Sequence, residues 1–306
     1  MDSLSEKMTS CSACPRHCAV DRSAGKKGVC RAGMNPKVAL ASVHHWEEPC
    51  ISGTKGSGTL FFSHCNMRCV FCQNFDISQE DFGEEIPVDE LARMMLGQQE
   101  HAVHNINLVS PTQYLYQIRD ALILARQGGL HIPVVYNSNG YENAADLKAL
   151  NGLVDIYLPD IKYADNQLGR KYSGVSDYFE KASAAILEMV SQVGSPVFDD
   201  DGMMQKGVLI RHLILPGQLE NTKQILHWIS DNLPKDIYVS LMGQYTPMYN
   251  APEYPELARR LRQREYDTII DYFFYIGLEN GFVQELSSAK DVYTPKFRPK
   301  EIKDTH

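Results

Sequence analysis

The sequence predicts an α/β protein built on one parallel sheet, with a small cysteine-rich module in front of it. Three observations lead there. The chain has 306 residues, the size of one α/β barrel domain and enough to bury a sizeable core. From residue 60 to residue 266, short apolar runs alternate with longer segments of helical period. Repeated strand–helix units of this kind imply parallel strands joined by right-handed crossovers. All eight cysteines lie before residue 73, which concentrates metal chemistry at one end.

Taken in order, residues 11–33 hold four cysteines and several glycines with little apolar content. Residues 38–42 are a short apolar run and read as a strand. The loop that follows is His44-His45-Trp46-Glu47-Glu48-Pro49-Cys50. The first barrel strand is 60–63. Helix 87–103 has acidic residues early and apolar residues at helical spacing. Strand 106–110 precedes helix 112–127, which stops at Gly128-Gly129, a C-cap signal. Strand 132–137 and helix 142–150 follow, then strand 154–158 and helix 177–193. Residues 194–207, rich in Gly, Pro and Asp, form a turn or small hairpin. Strand 208–215, helix 220–232, strand 237–242 and helix 254–266 complete six strand–helix units. Residues 281–286 read as an added edge strand. The expected division is a cysteine-rich module over 1–50 and a core with a C-terminal extension over 51–306.

The bulk composition excludes several classes. At 43% hydrophobic and 22% charged, the chain is neither disordered nor a coiled coil. A net charge of −8 argues against a protein that grips nucleic-acid phosphates. The run Arg259-Arg260-x-Arg262-x-Arg264 reads as a solvated helix face. Residues 1–10 are polar, and no run is long enough to cross a bilayer. The expectation is a cytoplasmic protein with no membrane partner. In a reducing cytosol, eight cysteines are not a disulfide framework.

The chain is organised around Gly58-Thr59-Leu60-Phe61-Phe62-Ser63-His64-Cys65-Asn66-Met67-Arg68-Cys69-Val70-Phe71-Cys72-Gln73-Asn74. An apolar strand runs into Cys65-x3-Cys69-x2-Cys72. Three thiolates so close can hold three corners of a four-iron, four-sulfur (4Fe-4S) cluster and leave the fourth iron open for a ligand. The competing reading is a zinc knuckle or a purely structural cluster. With Phe71 before the last cysteine, Gln73-Asn74 after it, and Ser52-Gly53-x2-Gly56-Ser57-Gly58 ahead, the stretch resembles the radical S-adenosylmethionine (SAM) superfamily. Within it, the likeness is to the pyruvate formate-lyase activating enzyme group and its PflX-like branch, from Cys11 to Gln244.

That resemblance implies an open, partial TIM-type (βα)6 barrel, matching the six strands. It implies a 4Fe-4S cluster on Cys65, Cys69 and Cys72 with SAM on the open iron. One electron would split SAM into methionine and a 5′-deoxyadenosyl radical, which takes a hydrogen from a substrate. It also implies a low-potential electron donor of flavodoxin or ferredoxin type.

In such barrels the site lies at the C-terminal strand ends. After the second strand stands Ser110-Pro111-Thr112-Gln113, where many family members carry Gly-Gly-Glu; here the Ser110 and Thr112 hydroxyls are the candidates for the SAM amino group. After the third stands Tyr136-Asn137-Ser138-Asn139-Gly140, with Ser138 and Asn139 as cofactor candidates and an ordinary Asn-Gly turn as the alternative. The fourth ends in Asp160-Ile161-Lys162, whose two charges fall on one side of the strand; it resembles the Asp-x-Lys of the activating enzymes, which implies contact with the SAM ribose and carboxylate, and a surface ion pair is the alternative. The fifth carries Arg211-His212 inside an apolar run, so both need partners. Either is a candidate to face the barrel mouth and bind the cofactor carboxylate or the substrate, and a satisfied core histidine is the alternative for His212. After the sixth, Met242 suits the adenine and Gln244 the substrate or nucleoside, with Tyr245 beside it. Phe71 and Asn74 are the remaining cofactor candidates. His44 to Glu48 read either as metal or acid–base groups or as a loop over the cluster with Glu47 paired. Tyr245 and Cys50 are candidates to quench a product radical.

Cys11, Cys14, Cys18 and Cys30 form a second ligand set. A segment that short cannot bury a core, so a metal would supply its folding energy. Zinc and a second 4Fe-4S cluster both fit four thiolates, while His17 reads as a surface residue. Three functions stay open: an activase acting on a glycyl-radical protein, an enzyme modifying a small molecule or peptide, and a non-catalytic iron–sulfur carrier or scaffold.

Overall fold

A computed structural model describes residues 4–284 and Phe297. After helix α1 (Leu4–Thr9) the chain runs through turns to strand β1 (Lys37–His44), helix α2 (Pro49–Ser52) and strand β2 (Ser57–Phe62). Helix α3 (Phe75–Ser78) and strand β3 (Glu84–Glu85) lead to helix α4 (Val88–Glu100) and strand β4 (Ile106–Val109). Then come α5 (Leu115–Gln127), β5 (Val134–Ser138), α6 (Ala144–Leu147), β6 (Ile156–Pro159), α7 (Asn166–Ser173) and α8 (Tyr178–Val193). The last elements are β7 (Val197–Phe198), β8 (Met204–Leu213), α9 (Leu219–Asn232), β9 (Tyr238–Met242), α10 (Gln263–Tyr275) and β10 (Gly281–Gln284).

The strands form one sheet in the order β10-β9-β8-β6-β5-β4-β2-β1-β3, with β7 paired to β8. From β2 through β4, β5, β6, β8 and β9 to β10, every neighbour is parallel. β1 runs antiparallel to β2, and β3 to β1. The sheet is an open α/β barrel, with β3 and β10 at its two ends. The six expected strands are β2, β4, β5, β6, β8 and β9. The edge strand at 281–286 is β10 as far as Gln284; residues 285 and 286 lie outside the described ones. The turn at 194–207 is the β7–β8 hairpin.

The reason for this architecture is burial on both faces. Every residue of β4, β5 and β6 is buried, as befits parallel strands covered on each side. Helices supply the outer cover through stripes at helical spacing. On α8 the buried stripe is Tyr178, Ala182, Ala185, Ile186, Met189 and Val193; on α5 it includes Ile118, Leu122 and Ala125. Each such large side chain withdrawn from water stabilises the fold by about 1.5–3 kcal/mol.

Three local features differ from expectation. The helix expected at 254–266 starts instead at Gln263, and residues 254–262 wind through turns. Pro255 lies in that stretch, and the Glu265 carboxylate accepts the Arg262 amide at 3.0 Å, fixing the helix start there. The arginine run is therefore not a helix face: Arg259 pairs with Glu265 at 2.7 Å. Helix α7 was not legible, although Asp165 caps its start by accepting from the Gln167 amide at 2.7 Å and Gly174 ends it in the left-handed region at φ 65°. Finally, β1 joins the sheet across the expected boundary at residue 50.

Candidate active site

The C-terminal ends of the parallel strands open into a cavity of about 290 Å³. Cys65, Cys69 and Cys72 line one side of it. Phe71, Gln73 and Asn74 line it with them. Ser110 after β4, Asn137 and Ser138 at the end of β5, and Asn139 just beyond line the next side. Asp160 and Lys162 after β6, Arg211 on β8, and Met242 and Gln244 from β9 complete the wall. The loop between β1 and α2 contributes His44, Trp46 and Glu47. Trp46 is 61% exposed at the mouth.

The cysteine loop is held rigidly. It begins with His64, whose φ of 72° is left-handed, a costly state for a residue with a Cβ that surrounding contacts must impose. The contact here is the His64 amide donating to Ile77 O at 2.7 Å. The amides of Arg68 and Val70 donate to the carbonyls of Ser173 and Tyr172 at the end of α7, at 3.0 and 2.8 Å. From the other side, the Asn250 amide donates to Val70 O at 2.9 Å.

Each of the three sulfurs has a polar partner. The Met67 amide and Asn139 Nδ2 donate to Cys65 Sγ at 3.4 and 3.3 Å. The Ser173 hydroxyl donates to Cys69 Sγ at 3.0 Å, and Ser78 Oγ lies 3.2 Å from Cys72 Sγ. Burial pushes the Cys65 thiol up to about 12 and the Cys72 thiol up to about 11. Cys69 is also raised, by burial, against the lowering effect of nearby Lys162. Thiols so disposed stay protonated alone and ionise onto a metal. Three thiols facing one cavity, each with a donor behind it, fit an iron–sulfur cluster with one open corner.

Opposite the cysteines lies a buried charge network. Arg211 Nε donates to Asp160 Oδ1 at 3.0 Å, and its Nη1 to Glu47 Oε1 at 2.8 Å. Arg211 Nη2 donates to Asn137 Oδ1 at 2.6 Å. Lys162 Nζ binds Asp160 Oδ2. Glu47 Oε2 accepts from Asn107 and Asn137 at 3.0 and 2.9 Å. Burial alone would raise the Asp160 carboxyl, but Arg211 and Lys162 overcome it and hold it below its usual range. For Lys162, burial opposes the charge and Asp160 more than restores it, so the ammonium is held above its usual range. Both therefore stay charged at neutral pH. In the loop from His44 to Glu48, Glu47 is paired with Arg211, Asn107 and Asn137.

Two expected site residues face elsewhere. Thr112 sits in a buried turn and donates to Glu142 Oε1 at 2.5 Å, away from the cavity. His212 is the neighbour of Arg211 on β8, so strand alternation turns it to the opposite face. There its ring lies between Ile161 O at 2.6 Å and Thr222 Oγ1 at 2.9 Å, and burial pushes it down to about 4, which leaves it neutral. Tyr245 is buried, donates to Leu257 O at 2.8 Å and packs edge-to-face on Phe71 at 6.1 Å. Cys50 packs with Ile51, Val135 and Leu158 in a core cluster of its own. Asn137, Ser78 and Ser173 were not singled out. Asn137 lay in a motif already noted, whereas Ser78 and Ser173 reach the sulfurs only through the fold.

Among the described residues, no helix is long and apolar enough to cross a membrane. The model of the radical SAM superfamily matches residues 59–229. An uncharacterized protein of Methanocaldococcus jannaschii is 33% identical over 271 residues, covering 85% of this chain and 73% of its own. The pyruvate formate-lyase-activating enzyme of Clostridium pasteurianum is 25% identical over 236 residues, covering 74% of this chain and 92% of its own. Among solved structures, Streptococcus suis SuiB bound to S-adenosylmethionine aligns with a TM-score of 0.49 at 15% identity, over 74% of this chain and 49% of SuiB. With its cysteine loop inside the matched segment, the chain belongs to the radical SAM superfamily.

Proposed function

We propose that this chain is a radical SAM enzyme of the activating-enzyme type, with Cys65, Cys69 and Cys72 holding a 4Fe-4S cluster and SAM bound beside it. The observation that carries this reading is the convergence of three donor-backed thiols and a buried Asp160–Lys162–Arg211 network on one cavity. Bound there, the cluster and SAM would supply one-electron chemistry: cleavage of the sulfonium to methionine and a 5′-deoxyadenosyl radical that takes a hydrogen atom from a substrate.

The chain's own residues then bind, orient and exclude water. Lys162 and Asp160 present a fixed ammonium and carboxylate to the carboxylate and ribose hydroxyls of SAM. Ser110, Ser138 and Asn139 offer short polar groups at adjacent strand ends. Met242 and Phe71 give apolar contact for the adenine, and Gln244 and Asn74 give hydrogen bonds at the rim. Arg211 holds Asp160 in place and tethers Glu47, so the Trp46 loop stays over the mouth. A low-potential protein of flavodoxin or ferredoxin type in the cytoplasm would deliver the electron.

The activase reading rests on the likeness to the Clostridium pasteurianum enzyme. Its test is incubation of the reduced protein with SAM and a glycyl-radical partner, followed by electron paramagnetic resonance. A glycine-centred doublet supports a protein substrate. SAM turnover without the doublet, but with hydrogen lost from a peptide or small molecule, assigns the cavity to those substrates instead.

A further inference from the structure

We infer that Cys11, Cys14, Cys18 and Cys30 hold a second iron–sulfur cluster, seated beside the loop that carries the first. All four are free thiols, and all four line one small cavity whose other walls include Ala13, Val20 and Ala32. The inference does not depend on SAM binding in the main cavity.

Two of the four sulfurs have an N–H donor aimed at them. Val29 N–H donates to Cys18 Sγ at 3.4 Å, and Arg22 Nη1 to Cys11 Sγ at 3.8 Å.

Arg22 is the independent observation. Its side chain is 2% exposed and lines the same cavity. Nε donates to Gly33 O and Nη1 to Gln113 O, each at 2.8 Å. Nη2 has no hydrogen-bond partner among the described residues. A buried guanidinium with an unmet donor calls for an anion. A four-iron cluster in four thiolates is a net anion.

The arrangement favours a cluster over a single ion. Zinc draws its sulfurs to about 2.3 Å from one centre. A cluster gives each sulfur its own iron and holds the sulfurs farther apart. Among the described residues, no three His, Cys, Asp or Glu side chains are placed to share one ion. The N-terminal cysteines share that property with Cys65, Cys69 and Cys72, which also surround a cavity without meeting at a point.

The module is fastened to the active-site loop. Arg16 Nε donates to Asn66 O at 2.9 Å, and Arg68 Nη2 to Val29 O at 2.9 Å. The Asn66 Oδ1 accepts from Asn139, the residue that also donates to Cys65.

The test is iron, zinc and acid-labile sulfide content of the full chain, prepared without oxygen and reconstituted with ferrous iron and sulfide. The wild type is compared with a Cys65→Ala, Cys69→Ala, Cys72→Ala variant. The inference expects the variant to keep about four irons and four sulfides, roughly half the wild-type load. Adding Cys14→Ser and Cys30→Ser should remove them. Should that last protein fail to fold by circular dichroism, Arg22→Gln in the three-alanine background gives a second readout. Removing a buried cation should lower the midpoint potential of the remaining cluster, and an unchanged potential counts against the inference. One zinc with no sulfide in the three-alanine variant, or no metal at all, overturns it.

Discussion

Asp160→Asn is the most informative single change in the cavity wall. Four charged groups meet there: Glu47 and Asp160 as anions, Lys162 and Arg211 as cations. All are well withdrawn from water, with side-chain exposures of 12–16%. Their charges cancel. The substitution leaves one uncompensated cation in that space, because Arg211 keeps Glu47 at 2.8 Å while Lys162 loses its carboxylate. At a separation of about 3 Å and an effective dielectric constant of about 20, the lost attraction is about 5 kcal/mol per contact before relaxation. Removing one partner of a buried pair costs about 3–5 kcal/mol in measured cases. The expected loss is therefore about 3–5 kcal/mol, read as a shift of the urea midpoint at unchanged m-value on cofactor-free protein. Adding Lys162→Met should return about 1–2 kcal/mol by deleting the stranded ammonium. A loss below about 1 kcal/mol, the worth of a solvated surface pair, would refute the picture of a desolvated network.

Three further outcomes follow from other parts of the structure. Burial pushes Glu142 up from 4.5 to about 8, so the stability it contributes is complete below pH 4.5 and is lost as pH rises through about 8. Glu142→Gln should match the wild type near pH 5 and exceed it near pH 8 by on the order of 3 kcal/mol; a pH-independent difference in urea unfolding would contradict this. Ser173→Ala removes the hydroxyl that donates to Cys69, and weaker hydrogen bonding to a ligand sulfur should lower the reduction potential of the main cluster, measured by redox titration. Leu122→Ala on the buried face of α5 should cost about 2–5 kcal/mol by denaturation while leaving that potential unchanged.

The sheet was legible because parallel strands buried on both faces write continuous apolar runs, such as residues 208–210 of β8 and Ile156–Pro159. The cysteine loop was legible because its spacing is local. Elements that depend on few apolar residues were harder to see. Helix α7 buries only Gly169, Tyr172 and Ser173, so no stripe marks it, and only its two caps gave a signal. Orientation was harder still. Arg211 and His212 alternate across β8, and nothing local says which of the two faces the cavity. The partner of Glu47 lies 164 positions away, a contact that only the curvature of the open sheet creates. Thr112 looked like a rim hydroxyl, but the turn that carries it points inward to Glu142.

The central claim is that Cys65, Cys69 and Cys72 equip this cavity for SAM chemistry. The measurement that tests it most directly is 5′-deoxyadenosine formation from SAM by the reduced, anaerobically prepared protein, run beside the three-alanine variant. The structure predicts product from the wild type and none from the variant. Product from both, or a fully loaded wild type that never cleaves SAM under strong reduction, would contradict it, and in the second case the iron would belong to a carrier or scaffold.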